Sequence, residues 1–371
     1  MELATIINKF LSPFLEKYGN TLLPSQRKAM EDIRHCRTEI MGGTTYFCEA
    51  CGHLDYSYHS CQNRACPKCM NDRATIWLDK QLENILPVPY FFVTFTLPAE
   101  LRQLIYLHQK ELYNLLFEAS SKAMMKLSKD KRFVGGDLGM MAVLHTWCRD
   151  LDYHPHVHYL IPSIFNKDSM ARLLKKPYLF NSKALAAIFK AKFKSGLKKL
   201  GYTFSQTAFE KNWVVHIENV GSGTEALKYL APYIFRVALT NKRIISIKED
   251  KVTFSYTESK SGQTKLLTLE GVAFLRRFLC HVLPKGFVKV RYYGFLQPSK
   301  KKQFQSIKLF LSALFLLLLH CDLPLKKRAV VIKPTPTCRI CGGTIIPVSR
   351  WKKYESRSPP VFKIEKSSII L

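Results

Sequence analysis

Apolar residues recur along the chain at spacings typical of both helices and strands. Ala29, Ile33 and Cys36 have helical spacing and predict a helix that begins near Pro24. The apolar run 90–97 follows Pro87 and Pro89 and predicts a buried strand. By the same criteria, further helices are predicted at 73–86, 99–127, 183–200, 224–236 and 274–283, and further strands at 139–147, 156–161, 213–218 and, as a hairpin, 243–257.

Helices and strands interleave without a regular βαβ period, which predicts an α+β fold class. We expect three domains, at 1–88, 89–300 and 301–371, the last of them a basic C-terminal helix and tail. The apolar run 309–319 is shorter than the ~20 residues that span a bilayer, so a buried core helix is expected there.

The net charge of the chain indicates what kind of partner it binds. The 371 residues include 57 Lys and Arg but only 28 Asp and Glu, for a formal net charge of +29. Such a surplus indicates a polyanionic partner, with nucleic acid the first candidate and an acidic membrane surface the second. The span 166–212 holds eleven basic residues and predicts a DNA-backbone contact, although a solvated helix face would look the same. Its proposed contacts are Lys190, Lys194 and Lys198.

Six of the eleven cysteines lie in the first fifth of the chain. The N-terminus lacks the pattern of a secretory signal, so we expect a cytoplasmic protein whose clustered cysteines bind metal. Two C-x2-C pairs, Cys48 with Cys51 and Cys66 with Cys69, predict one tetrahedral structural zinc site. Basic residues near these pairs predict phosphate contacts, namely Arg64, Lys68 and Arg73.

Other potential ligands leave alternatives open. Cys36, Cys61, His35 and His59 lie close enough in sequence to exchange into the zinc site or to hold a second ion, but packing roles are expected for them. Cys338-x2-Cys341 is half of another knuckle, and no second pair follows it. It either borrows ligands from elsewhere in the chain or binds no metal.

The segment His154-Pro-His-Val-His158 predicts a site for one divalent metal ion. Side chains alternate on a strand, so His156 and His158 share one face. A hairpin turn centred near residues 151–152 would place His145 opposite His158 and Trp147 opposite His156. His145 is then the expected third ligand, with Glu225 a weaker alternative. A one-residue slip would turn His145 to the other face.

Tyr229 and Tyr233 are spaced i, i+4, so on a helix they would share a face. Beside a divalent ion they could serve as nucleophiles toward a phosphodiester. The alternative is a pair of core aromatic residues, and spacing alone does not decide between them.

Taken together, these motifs resemble the rolling-circle transposases of the insertion-sequence ninety-one class, within the HUH endonuclease superfamily. The shared segments include Gly42-Gly43, Ser60-Cys-Gln-Asn-Arg-Ala-Cys-Pro-Lys-Cys69, His145-Thr-Trp, the histidine segment, Tyr229, Tyr233, Arg236, His281-Val-Leu-Pro-Lys-Gly-Phe and Tyr293-Gly-Phe-Leu.

The resemblance implies an HUH-type antiparallel core that cuts single-stranded DNA at transposon ends through a 5′-phosphotyrosine. His156 and His158 would hold Mg²⁺ or Mn²⁺, Tyr229 and Tyr233 would be nucleophiles, and Arg236 would contact DNA. Two residues depart from the pattern: Pro232 stands where a basic residue is usual, and Ala65 where histidine is common. Pro232 could kink the helix and misplace Tyr233.

The expected partners follow from this resemblance. They are single-stranded DNA at the element ends and at the target site, and host replication or helicase factors. The expected location is the nucleoid in a bacterial cytoplasm, and no membrane partner is expected. No phosphate-binding G-x4-G-K-[ST] loop is present, so no nucleotide cofactor is expected. Rival interpretations are a zinc-dependent DNA-binding regulator, a degenerate transposase that binds without cutting, and a replication initiator with the same core.

Overall fold

Antiparallel sheets organise the described part of this chain. A computed structural model describes residues 1–69, 84–222, 225, 237–258, 261–319 and 336–353. Every strand pair within its four sheets is antiparallel, and helices are interspersed among the strands. The α+β class expected from the sequence is confirmed.

The helices, in chain order, are α1 (Leu3–Tyr18), α2 (Pro24–Arg34), α3 (Arg102–Leu107), α4 (Gln109–Ser128), α5 (Ser182–Lys199), α6 (Thr207–Glu210), α7 (Gly271–Leu279) and α8 (Lys301–Leu319). The strands are β1 (Gly43–Cys48), β2 (Leu54–Tyr58), β3 (Pro89–Thr96), β4 (Asp137–Leu138), β5 (Met140–Trp147), β6 (Tyr153–Pro162), β7 (Ile164–Lys167), β8 (Met170–Leu173), β9 (Val215–Ser222), β10 (Ile244–Lys248), β11 (Lys251–Thr257), β12 (Thr264–Glu270), β13 (Val290–Tyr293) and β14 (Ile345–Trp351).

The larger of two compact units contains the described residues of Met70–Leu325. Its centre is a five-stranded sheet in the order β13-β5-β6-β3-β9. One face of this sheet is apolar and packs against α4 and α5, with Phe95, Val157 and Tyr159 fully buried. Because side chains alternate along a strand, the opposite face carries the residues between them, among them His156 and His158.

A buried hydroxyl pair fixes the central strand β6 against helix α4. The Tyr159 hydroxyl lies 2.7 Å from Ser120 Oγ, and Ser120 in turn donates to the Leu116 carbonyl. Both hydroxyls are buried and hydrogen-bonded, so this polar contact costs little while it sets the position of β6 along the helix.

The smaller unit joins the two ends of the chain. It contains the described residues of Glu2–Cys69 and of Lys326–Leu371, and its sheet has the order β14-β1-β2. Helix α1 buries one apolar stripe, which includes Ile6, Phe10 and Phe14, and it packs against α2. The expected separate domain at 301–371 is therefore divided: α8 belongs to the larger unit and β14 to the smaller.

Several predicted elements differ in detail. The helix expected at 99–127 is interrupted at His108, which has a non-helical backbone (φ −123°, ψ 44°). The hairpin at 243–257 is confirmed, and β12 adds a third strand to it. Helix α8 buries Ile307 and Leu311 but leaves Leu309 71% exposed, so the buried core helix expected at 309–319 is partly exposed.

Two predicted helices cannot be compared with the structure. The helix at 224–236 lies outside the described residues except for Glu225, and the helix at 73–86 lies outside them except for its last three positions. Within the part of the chain that the structure describes, no helix is both long and apolar enough to cross a membrane.

Gly294 allows the edge strand β13 to end close to β4, and it gives a test of the sheet that carries the histidines. Its φ is +60°, and a Cβ there would lie 1.6 Å from the Leu138 carbonyl oxygen. We expect Gly294→Ala to lower the free energy of unfolding by at least ~3 kcal/mol, because a left-handed conformation and a backbone clash add together. Urea titration of the purified protein measures this.

The matched control is Gly286→Ala. Gly286 has a similar φ of +73°, but no atom would contact its added Cβ. Only the conformational cost of ~1–2 kcal/mol is then expected. Equal losses for the two variants would contradict the close approach of Gly294 to β4.

Candidate metal centre

The pairing of β5 with β6 brings three histidines together. His145 lies directly opposite His156, and Val143 lies opposite His158. The expected register, with His145 opposite His158, is therefore wrong by two residues. A shift of two keeps every side chain on its face, so His145 still lies on the face shared by His156 and His158.

The position of the loop explains the shifted register. Residues 148–152 connect the strands, so the loop is centred on residue 150 rather than on 151–152, and the register shifts again between His145 and Trp147. Leu151 in this loop has a φ of +67° and is fully buried. The buried His281 holds this loop, because its Nε2 donates to the Leu151 carbonyl at 3.0 Å.

The three imidazoles converge on one point. One ring nitrogen from each of His145, His156 and His158 lies within 4.8 Å of the others. The ring centroids of His145 and His158 are 4.8 Å apart, and those of His156 and His158 are 4.7 Å apart. His145 is 3% and His158 6% exposed, so the group opens to solvent mainly at the half-buried His156.

Hydrogen bonds on the far side of two rings set which nitrogen faces the group. His156 Nδ1 lies 2.6 Å from the His154 carbonyl oxygen, which can only accept, so Nδ1 carries the proton and Nε2 the lone pair. His158 Nδ1 lies 2.9 Å from Thr94 Oγ1 on the neighbouring strand β3. Such partners typically orient metal-binding histidines.

Thr94 was not among the residues predicted from the sequence. Its signal was available, because Thr94 and Thr96 alternate with buried apolar residues and therefore share a face of β3. The pairing of β3 with β6 could not be read from that local pattern. In the structure, Thr94 is opposite His158 and Thr96 is opposite His156.

Burial keeps His156 and His158 neutral at ordinary pH. Desolvation lowers the pKa of His156 to about 4, and it lowers the pKa of His158 well below the usual value, with a smaller contribution from nearby positive charge. Neutral imidazoles are the form that binds a metal ion. The set therefore fits a divalent cation, and it suits Mn²⁺ better than Mg²⁺, which prefers oxygen ligands. Glu225, the alternative ligand, is not part of this group.

The cysteines form two groups of four rather than the one expected. Cys48 and Cys51 lie with Cys338 and Cys341, whereas Cys66 and Cys69 lie with Cys36 and Cys61. The expected set of Cys48, Cys51, Cys66 and Cys69 is thus divided between the two groups. Sequence reasoning named all eight cysteines but did not pair them in this way, and His35 and His59 belong to neither group.

The basic residues proposed to contact DNA differ in their exposure and in their contacts within the protein. Lys190 donates to the Phe209 carbonyl at 2.9 Å, and Lys194 donates to Gln206 Oε1 at 3.1 Å, so both connect α5 to the segment containing α6. Lys198 is exposed on α5. Arg64 is exposed, and Lys68 pairs with Glu2 at 2.7 Å. Tyr229, Tyr233, Arg236 and Arg73 lie outside the described residues.

The histidine and cysteine groups lie largely within two regions of the sequence that match known protein families. The sequence matches a family described as "Putative transposase" over residues 139–303 and the IS91-type "Transposase zinc-binding domain" over residues 6–97. The first match contains all three histidines and the second contains six of the eight grouped cysteines. The zinc-domain match and the cysteine groups together support structural zinc in this chain.

Two transposases are similar in sequence to this chain over most of their length. The chain is 32% identical over 326 residues to the putative transposase y4qJ of Sinorhizobium fredii, covering 81% of this chain and 82% of that protein. It is 25% identical over 281 residues to the transposase for insertion sequence element IS801 of Pseudomonas savastanoi pv. phaseolicola, covering 70% and 68%.

Among solved structures, the conjugative relaxase TrwC, determined metal-free in complex with oriT DNA, aligns with 60% of this chain and 71% of its own. The TM-score is 0.27 and the identity 13%, values too low to support a shared architecture.

Thr94 provides a test of the histidine group. We expect Thr94→Val to weaken Mn²⁺ binding by about tenfold, because His158 loses the hydrogen bond that orients its ring. Thr96→Val is the matched control: it makes the same change on the same face, but His156 Nδ1 bonds to the His154 carbonyl instead. Mn²⁺ titration followed by electron paramagnetic resonance measures both. Equal affinities for the two variants would contradict the role of Thr94.

The lowered histidine pKa values predict how metal binding depends on pH. With the pKa of His156 at about 4, protons compete little for this ring between pH 7.5 and 5.5. We expect the Mn²⁺ affinity to change by less than about threefold over that range and to fall only as the pH approaches 4. Ordinary imidazoles with a pKa near 6.5 would lose about tenfold per ring by pH 5.5, and a loss of that size would contradict the burial of the site.

Proposed function

This chain belongs to the insertion-sequence transposases related to those of IS91 and IS801, and we propose that it nicks and rejoins single-stranded DNA at the ends of a transposable element. The observation that carries the proposal is the convergence of His145, His156 and His158 on one face of the central sheet. A transposase has to break and form phosphodiester bonds, and a bound divalent ion serves that chemistry.

The three imidazoles have the role of holding and orienting that ion. When bound, Mg²⁺ or Mn²⁺ would polarise the scissile phosphate and stabilise the negative charge that develops on its oxygens. Among the described residues, three protein ligands converge, so coordination positions remain for phosphate oxygens. The hydrogen bonds to His156 and His158 hold both rings in place before DNA arrives.

The proposed nucleophile is the hydroxyl of Tyr229 or Tyr233. Its oxygen attacks the phosphorus in line as its proton leaves to solvent, a new phosphorus–oxygen bond forms, and the bond to the 3′ oxygen breaks. The products are a 5′-phosphotyrosine and a free 3′-hydroxyl. In the reverse step, a 3′-hydroxyl attacks the phosphotyrosine and rejoins a strand, so the bond energy is conserved and no nucleotide is consumed. Pro232, next to Tyr233, favours Tyr229 as the first nucleophile.

Charge supports DNA as the substrate. The net charge of +29 provides a long-range attraction for a polyanion. Of the proposed contacts that the structure describes, Lys198 is exposed on α5 and suited to reach phosphates. Lys190 and Lys194 are more suited to positioning α5, because their ammonium groups already bond within the protein.

Covalent capture tests the proposed reaction. The full-length protein is incubated with Mn²⁺ and 5′-labelled or 3′-labelled single-stranded DNA from an element end, and a denaturing gel is run. We expect label on the 3′ side of the nick to be retained on the protein, and label on the 5′ side to be released as a shorter strand with a 3′-hydroxyl. Tyr229→Phe should reduce the adduct at least about a hundredfold, because the nucleophilic oxygen is missing.

The controls separate the rival functions. Tyr178→Phe removes an exposed tyrosine outside the proposed machinery and should leave the adduct unchanged. His156→Ala should abolish the adduct while DNA binding persists. Binding by the wild-type protein without any adduct would instead identify a DNA-binding regulator or a degenerate transposase. An adduct that survives in Tyr229→Phe but is lost in Tyr233→Phe would assign the second tyrosine.

A further inference from the structure

The C-terminal half knuckle lies against the first N-terminal knuckle. Strand β14 pairs antiparallel with β1, and this pairing places Ile345 opposite Cys48. The turn containing Cys338 and Cys341 precedes β14 and therefore reaches the end of β1. Cys48 Sγ lies 3.5 Å from Cys341 Sγ, and Cys51 Sγ lies 3.7 Å from Cys338 Sγ.

These distances match a four-thiolate metal site. With zinc–sulfur bonds of about 2.3 Å, tetrahedral geometry places neighbouring sulfur atoms about 3.8 Å apart. All four sulfur atoms lie within 4.8 Å of one another, and all four cysteines are unbridged thiols. The spacing is far beyond the ~2 Å of a disulfide bond.

The two knuckles have the same backbone conformation. The Gly52 amide donates to the Cys48 carbonyl at 2.9 Å, and the Gly342 amide donates to the Cys338 carbonyl at 2.9 Å. Both glycines have a φ of +73°, a conformation that side chains rarely adopt. The Ile340 amide also points at Cys338 Sγ, at 3.4 Å, as expected for an amide that stabilises a thiolate. Two matched turns that face each other are the arrangement of a closed zinc site.

Other contacts show that the C-terminal segment is built to fit this place. A Cβ on Gly43 would lie 2.8 Å from the ring of Trp351, so only glycine allows the ring to approach β1. Arg339 pairs with Asp55 on β2 at 3.1 Å. Lys353 pairs at 3.5 Å with Asp32, which is almost fully buried in α2. The segment is thus held by packing and charge on both sides of the cysteines.

We propose that Cys48, Cys51, Cys338 and Cys341 form a composite structural zinc site, distinct from a second site at Cys36, Cys61, Cys66 and Cys69. The zinc-binding unit of this protein then includes residues far outside the N-terminal region 6–97. The composite ion joins cysteines separated by 287 residues, so it fixes the C-terminal strand β14 to the N-terminal sheet. This inference is independent of the proposed nicking reaction, because metal content is measured without DNA.

Zinc stoichiometry tests the composite site. The full-length protein is desalted through a column that removes loosely bound metal, and its zinc is measured by elemental analysis. We expect two zinc ions per wild-type chain. Cys341→Ser should leave one, because Cys341 belongs only to the composite group, and Cys61→Ser should also leave one, from the other group.

Matched and rescue variants keep the test decisive. Cys148→Ser and Cys280→Ser alter cysteines outside both groups and should retain two zinc ions. Cys341→His restores a zinc ligand and should return the count to two, which a purely structural defect would not do. Two zinc ions in Cys341→Ser would overturn the composite site. One zinc in the wild type that survives in Cys341→Ser but is lost in Cys66→Ser would overturn it as well.

Discussion

The pairing of β5 with β6 is the constraint on which the histidine group depends. Strand side chains alternate, so His145 joins His156 and His158 only if the register places all three on the same face. The observed register differs by two residues from the one that the sequence suggests, and a change of two preserves the face. A change of one would have moved His145 into the apolar core and left a pair of histidines instead of three.

The rest of the larger unit holds that register in place. Tyr159 ties β6 to α4 through Ser120, and His281 fixes the loop that joins the two strands through the Leu151 carbonyl. These contacts come from a helix at 109–128 and from a residue more than a hundred positions downstream. His281 is buried in this packing, and the loss of solvent around its imidazole lowers the pKa of His281 to about 4. The geometry of the histidine group therefore depends on distant segments that converge on one hairpin.

Sequence reasoning succeeded where the relevant contacts are local. The histidine strand and its partner are separated by about a dozen residues, and alternation alone identified the three residues that meet. It failed where the partner is distant: nothing in the spacing of Cys48 and Cys51 shows that Cys338 and Cys341 lie beside them, whereas Cys66 and Cys69 are close in sequence. The position of the loop was also missed, because a buried residue with the left-handed backbone of Leu151 leaves no simple signal.

The two kinds of ligand group differ in a way that fits two kinds of role. Four thiolates satisfy a tetrahedral ion completely, so a cysteine group of this kind leaves no position for a substrate and serves architecture. Three imidazoles leave coordination positions unfilled, and they lie at one end of a face whose other end is packed with apolar side chains such as Phe92 and Leu160. If both proposals hold, the chain uses closed cysteine sites to build one unit and an open histidine site for chemistry in the other.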